Sequence, residues 1–164
     1  MTDLGTLGGD SVFPDHRADA VNTSGNIAGR SYTAASAKRA FYWNGTTMSD
    51  LGVLTGGTQS WAFGLNDSNV VVGTSDVTGG TFHAFVWDGT NGLRDLNNLI
   101  SGTSGWTLTR ATDANNDGFI TGWGTNGMNG TASRSPTVGT TTRGPGCFSS
   151  GQRGGWCSPA GSPP

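Results

Sequence analysis

The two histidines are the side chains in this sequence best suited to exchange a proton near neutral pH. His83 comes shortly after Asp76, and His16 directly follows Asp15. A carboxylate can orient an imidazole so that it activates a water molecule. We therefore predict His83, Asp76 and His16 as catalytic residues. Each histidine also has a structural interpretation, because His83 stands in the register of Arg39 at the start of a strand and His16 falls in a loop.

A run of oxygen-bearing residues resembles the first half of a calcium loop. Asp113, Asn115 and Asp117 alternate along it, and Gly118 supplies a sharp turn before a branched apolar residue. Oxygen ligands at alternate positions suit a hard cation such as Ca²⁺. The twelfth position, which holds a bidentate Glu in an EF-hand, is Gly124. We predict a weak calcium site here; the alternative is a hairpin turn that Asn and Asp merely tolerate.

Other chemistries have less support in the sequence. No serine lies in a G-x-S-x-G elbow, and the absence of Glu limits paired carboxylates to Asp. Cys147 and Cys157 lack C-x-x-C spacing and a nearby histidine, so they indicate a disulfide or two free thiols rather than a metal or redox site.

Three motifs recur in a fixed order with a period of roughly 45 residues, which is the signature of a tandem array. The first motif is an Asp-Leu pair, at Asp3, Asp50 and Asp95. The second is an asparagine followed by a tight turn, at Asn22, Asn66 and Asn115. The third is Ala-Phe-x-Trp, at Ala40 and Ala84.

Each period resolves into four short strands, which is the size of a β-propeller blade. The 29 glycines, the lack of Glu and the single lysine disfavour helix. We predict an all-β fold, a β-propeller-like array of about three four-stranded blades in an incomplete ring. A β-prism or a flat β-solenoid would also tolerate the period.

The repeats are predicted over residues 1–134, divided at about 3–47, 50–94 and 95–134. Residues 135–164 form a tail rich in Gly, Pro and Ser, which we expect to be irregular or disordered. Met1 falls in register with Met48, so the chain is expected to start midway through a repeat. Three blades cannot close a ring, since propellers use about 4–8. A homo-oligomer that completes a propeller is one expectation, and an open stack of sheets is the other.

Charge and hydropathy exclude several classes. A net charge of −2 offers no basic face for nucleic acid. The apolar runs are far shorter than the ~18 residues of a membrane-spanning helix. The N-terminus has neither the basic nor the apolar region of a signal peptide.

The Asp-Leu-Gly-Thr-Leu-Gly-Gly motif, the asparagine hairpin and the tripeptide His83-Ala84-Phe85 resemble the HAF repeat family, over roughly residues 1–134. This resemblance implies an extracellular module but no particular chemistry. In size, the chain is also similar to a small, metagenome-derived, calcium-dependent quorum-quenching lactonase. That resemblance implies a calcium-dependent hydrolase that opens the lactone ring of N-acyl homoserine lactones.

Two further interpretations remain open. One is a non-catalytic extracellular repeat module that binds a glycan, a surface or a protein partner, and the residues alone favour it. The other is a gene fragment without an evolved function of its own. The lactonase resemblance places the hydrolase first.

Overall fold

The computed structural model describes residues 3–9, 15–100, 105–126, 137–139 and 147–148, and these residues form an all-β protein. Three antiparallel sheets follow one another along the chain, each with its four strands in sequential order, and none of them is closed. Among the described residues, the single helical element is a 3-10 turn at Leu96–Asn98. The all-β prediction is confirmed.

The strand bounds reproduce the predicted period. The first sheet contains β1 (Arg17–Val21), β2 (Ile27–Tyr32), β3 (Lys38–Trp43) and β4 (Met48–Asp50). The second sheet contains β5 (Ser60–Leu65), β6 (Val71–Asp76), β7 (Phe82–Asp88) and β8 (Gly92–Asp95). The third sheet contains β9 (Trp106–Ala114), β10 (Phe119–Asn126), β11 (Thr137–Gly139) and β12 (Cys147–Phe148).

The strands β11 and β12 lie within 135–164, the segment predicted to be irregular, and they pair next to β10 as the outer strands of the third sheet. The rest of that segment, including Cys157, lies outside the described residues.

Every sheet has a β-bulge in its first strand, opposite a glycine of the second strand. The bulge brings the first strand so close that a Cβ on the glycine would collide with a backbone carbonyl oxygen. The three glycine–carbonyl pairs are Gly29 with Arg17, Gly73 with Trp61, and Gly122 with Arg110. Glycine therefore recurs at this position of each repeat because a side chain there would collide with the first strand.

The asparagine of the hairpin motif connects successive sheets. The Oδ1 atom of Asn66 accepts hydrogen bonds from the N–H groups of Ser68 (3.0 Å) and Val70 (2.9 Å), which closes the turn between β5 and β6. Its Nδ2 atom donates to the carbonyl oxygen of Asn115, 2.9 Å away, and the Nδ2 atom of Asn22 donates in the same way to Asn66 (3.1 Å). The recurring asparagine thus sets one sheet against the next.

The core consists of two apolar layers, one between each pair of successive sheets. We call the face of a sheet that packs on the preceding sheet its upstream face, and the opposite face its downstream face. In β6 the side chains alternate, so Val71 packs upstream and Val72 packs downstream. The second sheet is covered on both faces, and all six residues of β6 are buried.

Candidate functional site

His83 forms a hydrogen-bonded pair with Asp95, a residue that the sequence did not single out as its partner. The antiparallel pairing of β7 with β8 sets Phe85 opposite Asp95, two residues along from His83. The Nδ1 atom of His83 lies 2.7 Å from Oδ2 of Asp95, and the two side chains are 24% and 14% exposed. Strand pairing, not proximity in sequence, creates this contact.

Both carboxylate oxygens of Asp95 take part in hydrogen bonds. Its Oδ1 atom accepts hydrogen bonds from the backbone N–H of Asn97 (2.8 Å) and from its side-chain amide (3.0 Å), and Asp95 caps the 3-10 turn. Oδ2 is directed to the imidazole of His83. A carboxylate in this position favours the tautomer of His83 with a proton on Nδ1 and a lone pair on Nε2, which is the arrangement a general base requires.

The pair lines an open cavity of about 600 Å³. Arg94 also lines it; its Nη2 atom lies 2.6 Å from Oδ2 of Asp88, while its buried Nε atom has no hydrogen-bond partner among the described residues. Most of the other lining residues are apolar: Val53, Leu54, Val77, Leu93 and Leu99. The cavity therefore combines a histidine–carboxylate pair, a cation and an apolar wall.

The charge of Asp88 keeps Arg94 in place. Burial acts to raise the pKa of Asp88, but hydrogen bonds from Asn91 and Thr90 and the positive charge of Arg94 outweigh it and hold that pKa below its ordinary value. Asp88 is thus a carboxylate at neutral pH.

The first repeat has an ion pair at the equivalent position. Arg39 of β3 and Asp50 of β4 lie 3.9 Å apart, Nε to Oδ2, and Arg39 also donates to the carbonyl of Thr58. Asp50 and Asp95 share a further contact, since each accepts a bond from the backbone N–H two residues later. The recurrence of Asp50 at Asp95, in register with Arg39 and His83, is the sequence signal that could have identified Asp95.

Within the described residues, no hydrogen bond or ion pair joins Asp76 to His83. Asp76 is 5% exposed, and its Oδ1 atom accepts bonds from the backbone N–H groups of Thr58 (2.7 Å) and Gln59 (2.8 Å). Its Oδ2 atom accepts a bond from the hydroxyl of Thr58 at 2.6 Å. Burial acts to raise the pKa of Asp76, but these bonds together hold it below its ordinary value. Asp76 secures the loop that precedes β5.

His16 lies in a different part of the molecule from His83. Its Nδ1 atom is 3.0 Å from the hydroxyl of Ser31, and its ring packs edge-on against Tyr32. The neighbouring Asp15 is committed to ion pairs with Lys38 (2.6 Å) and Arg30 (2.8 Å), and the hydrogen bond from Lys38 is the main cause that lowers its pKa. The structure therefore does not bring His16 together with Asp15, His83 or Asp76.

The residues of the predicted calcium loop are exposed and act mainly as turn residues. Oδ1 of Asn115 accepts a bond from the N–H of Phe119 (2.8 Å), and its carbonyl accepts bonds from Asn66 Nδ2 (2.9 Å) and Gly118 N (3.2 Å). Asp113 accepts a bond from the N–H of Ala114, and Asp117 lies in the turn. The oxygens of Asn115 thus serve the turn, and the calcium site stays a prediction. No group of three His, Cys, Asp or Glu suited to a metal occurs among the described residues.

A mixed-charge cluster on the first strands is a feature that the sequence did not predict. Asp19 has a side chain that is 7% exposed; burial raises its pKa, opposed by the charges of Arg30 and Arg17. The guanidinium of Arg110 lies 3.8 Å from the ring centre of Phe63. The charges of the arginine and aspartate side chains in this cluster largely balance one another, so we assign no chemical role to it.

Comparison of the chain with family models, with curated proteins and with solved structures finds no match. No helix within the described ranges is long and apolar enough to span a membrane. The HAF-repeat and lactonase resemblances therefore stay predictions.

Proposed function

We propose that this protein is a hydrolase that opens the lactone ring of N-acyl homoserine lactones, with His83 as the general base. The observation that carries the proposal is the 2.7 Å bond between His83 Nδ1 and Asp95 Oδ2 at the wall of a cavity with an apolar side. Among the described residues, Nε2 of His83 has no hydrogen-bond partner, so it is available to a water molecule.

In the proposed reaction, Nε2 of His83 takes a proton from water as the water oxygen forms a bond to the lactone carbonyl carbon. The carbon–oxygen bond of the ring then breaks. The departing ring oxygen takes the proton from the imidazolium, which restores neutral His83. The product is an N-acyl homoserine with a free carboxyl group and a free hydroxyl group, and one water has been consumed. Asp95 stabilises the imidazolium between the two proton transfers.

The cavity suits this substrate class because it has an apolar wall and a cationic side chain. Leu93, Leu99 and Val77 offer apolar surface for an acyl chain. Arg94 also lines the cavity, and its positive charge suits the negative charge that develops on the carbonyl oxygen.

Calcium dependence is part of the proposal because of the lactonase resemblance. Bound calcium would supply a Lewis acid that polarises a carbonyl group. Because the turn already uses the oxygens of Asn115, no step of the reaction is assigned to the ion. Removal of calcium by a chelator is the direct test.

The arrangement of the sheets supports a propeller-like array. The first strands β1, β5 and β9 contact one another in succession, while apolar layers separate the sheets. Sheets that converge at their first strands and pack face to face are typical of propeller blades. An extracellular location accompanies this proposal through the HAF-repeat resemblance.

One observation favours a second candidate, a non-catalytic extracellular repeat module that binds a glycan, a surface or a protein partner. The His83–Asp95 pair occupies the position of the Arg39–Asp50 ion pair in the first repeat, where the contact has a structural role. A repeat that uses this position only to join its third and fourth strands needs no catalysis.

Hydrolysis of an N-acyl homoserine lactone by the purified chain distinguishes the two candidates. We expect saturable ring opening above the spontaneous rate, loss of that activity with EDTA, and its return with added Ca²⁺. Ring opening that is unaffected by EDTA would refute the calcium dependence but keep the hydrolase. A rate equal to the spontaneous one at every calcium concentration would refute the hydrolase and favour the binding module.

A further inference from the structure

The large apolar side chains that remain exposed are concentrated on the two end faces of the sheet array. Among the described residues, the three on the end faces are Val21 (66%), Trp123 (45%) and Phe119 (40%); the fourth exposed one, Leu99 (39%), lines a cavity between the second and third sheets. Val21 lies on the upstream face of the first sheet, since it pairs with Ile27, the counterpart of Val71. Phe119 and Trp123 lie on the downstream face of the third sheet, because they alternate with Ile120, which packs upstream.

The equivalent residues on the internal faces are buried, or in the case of Val70 partly buried, by a neighbouring sheet. Leu65 and Ala114, which correspond to Val21, are 7% and 6% exposed. Thr74, which corresponds to Trp123, is 3% exposed and donates a hydrogen bond to the carbonyl of Thr109 in the next sheet. Each end face is thus one half of an interface that the chain already makes twice internally.

The upstream face of the first sheet also contains a cavity of about 490 Å³, lined in part by Leu4, Phe41 and Met48. The segment at Leu4 and Leu7 matches Leu51 and Leu54, which are buried between the first and second sheets. The cavity next to this segment also has charged walls, from Asp3, Arg17 and Arg30, so a sheet that fills it would bring both apolar and polar side chains.

The asparagine hydrogen bonds point in the same direction along the array. Nδ2 of Asn22 and of Asn66 donates to the asparagine carbonyl of the next repeat. Nδ2 of Asn115 has no acceptor in the described part of the chain. The carbonyl of Asn22 accepts a hydrogen bond from the N–H of Gly25. Within the described ranges it has no inter-sheet donor of the kind that the carbonyls of Asn66 and Asn115 have. One end therefore has a donor to offer, and the other end has the matching acceptor.

We infer that the downstream face of the third sheet docks on the upstream face of the first sheet of a second copy of this chain. Val70 and Ala114 line one cavity between the second and third sheets, and their counterparts are Phe119 and Val21. Phe119 of one copy therefore packs near Val21 of the other. Two copies make two such interfaces, and six sheets fall within the ~4–8 blades of closed propellers.

Light scattering after size-exclusion chromatography, over a concentration series, tests the inference. We expect the wild-type chain to have twice the monomer mass of 16.8 kDa. Phe119→Glu and Val21→Lys place charges at exposed positions, so each variant should keep its thermal transition but elute with the monomer mass. Leu99→Gln, an equally exposed apolar position away from both end faces, should leave the dimer intact.

A mixture of Phe119→Glu and Val21→Lys provides the decisive arm. The mixed pair has one unchanged interface and one in which a carboxylate faces an ammonium group, so we expect the dimer mass to return. A wild-type chain that stays monomeric at every concentration would overturn the inference. Dimers that survive both substitutions, or single-variant monomers that do not recombine on mixing, would overturn it as well.

Discussion

His83 and Arg39 occupy the same position in successive repeats, yet only one of them can accept a proton near neutral pH. Both contact the aspartate of the following strand, Asp95 or Asp50. Arginine stays protonated in proteins and cannot act as a base, whereas histidine can. In the proposed reaction, the repeat position supplies the carboxylate, and the histidine that stands in place of arginine supplies the base. The second repeat is therefore the one in which we place the reaction.

Asp76 should stabilise the fold rather than assist the reaction. Because its pKa in the folded state lies below the unfolded value of about 3.9, the carboxylate stabilises the fold above that pH. The contribution is lost as the pH falls through the folded-state pKa. We expect Asp76→Asn to lower the free energy of unfolding by about 2–3 kcal/mol at neutral pH, since three bonds to a charged acceptor are weakened. The gap to the wild type should narrow as the pH falls below that unfolded value.

Urea unfolding near pH 7 and near pH 3 measures this difference. Asp117→Asn, at an exposed turn position, is the matched control and should change the stability by less than about 0.5 kcal/mol. Equal effects of the two substitutions at neutral pH would contradict the assigned role of Asp76.

At the scale of strands and turns, the sequence identified the elements but not the contacts between them. Asparagine with a following turn, and alternating apolar residues, are local signals, so the strands could be predicted from them. The partner of His83 could not, because Asp95 reaches it only through the pairing of β7 with β8. The bulges could not be predicted from the sequence either, although the glycines opposite them recur at Gly29, Gly73 and Gly122.

Gly73 should tolerate no side chain. A Cβ there would collide with the carbonyl oxygen of Trp61 and lie 2.7 Å from the ring of Phe85, which is fully buried. We expect Gly73→Ala to cost at least about 3 kcal/mol of stability, because neither the backbone nor the buried ring can move aside. Gly89, where a Cβ would have nothing within 4 Å, is the control. Thermal unfolding that is lowered equally by Gly73→Ala and Gly89→Ala would refute the close approach at the bulge.

For the molecule as a whole, the repeat period in the sequence predicts about three sheets, and the described residues form three. How the sheets are arranged relative to one another depends on packing between residues far apart in the chain, which no single motif encodes. The sequence is also ambiguous about calcium, because alternating oxygens in Asp113, Asn115 and Asp117 suit either an ion or a turn. The bonds of Asn115 to Phe119 and Asn66 favour the turn.

The rate of lactone hydrolysis by His83→Arg tests most directly whether His83 is the general base. This substitution restores the ion pair of the first repeat, as between Arg39 and Asp50, so the thermal transition should stay close to that of the wild type. We expect kcat/KM to fall at least about 100-fold, because the base is lost while the structural contact is kept. A His83→Arg protein that folds normally and hydrolyses the lactone at the wild-type rate would contradict the central claim.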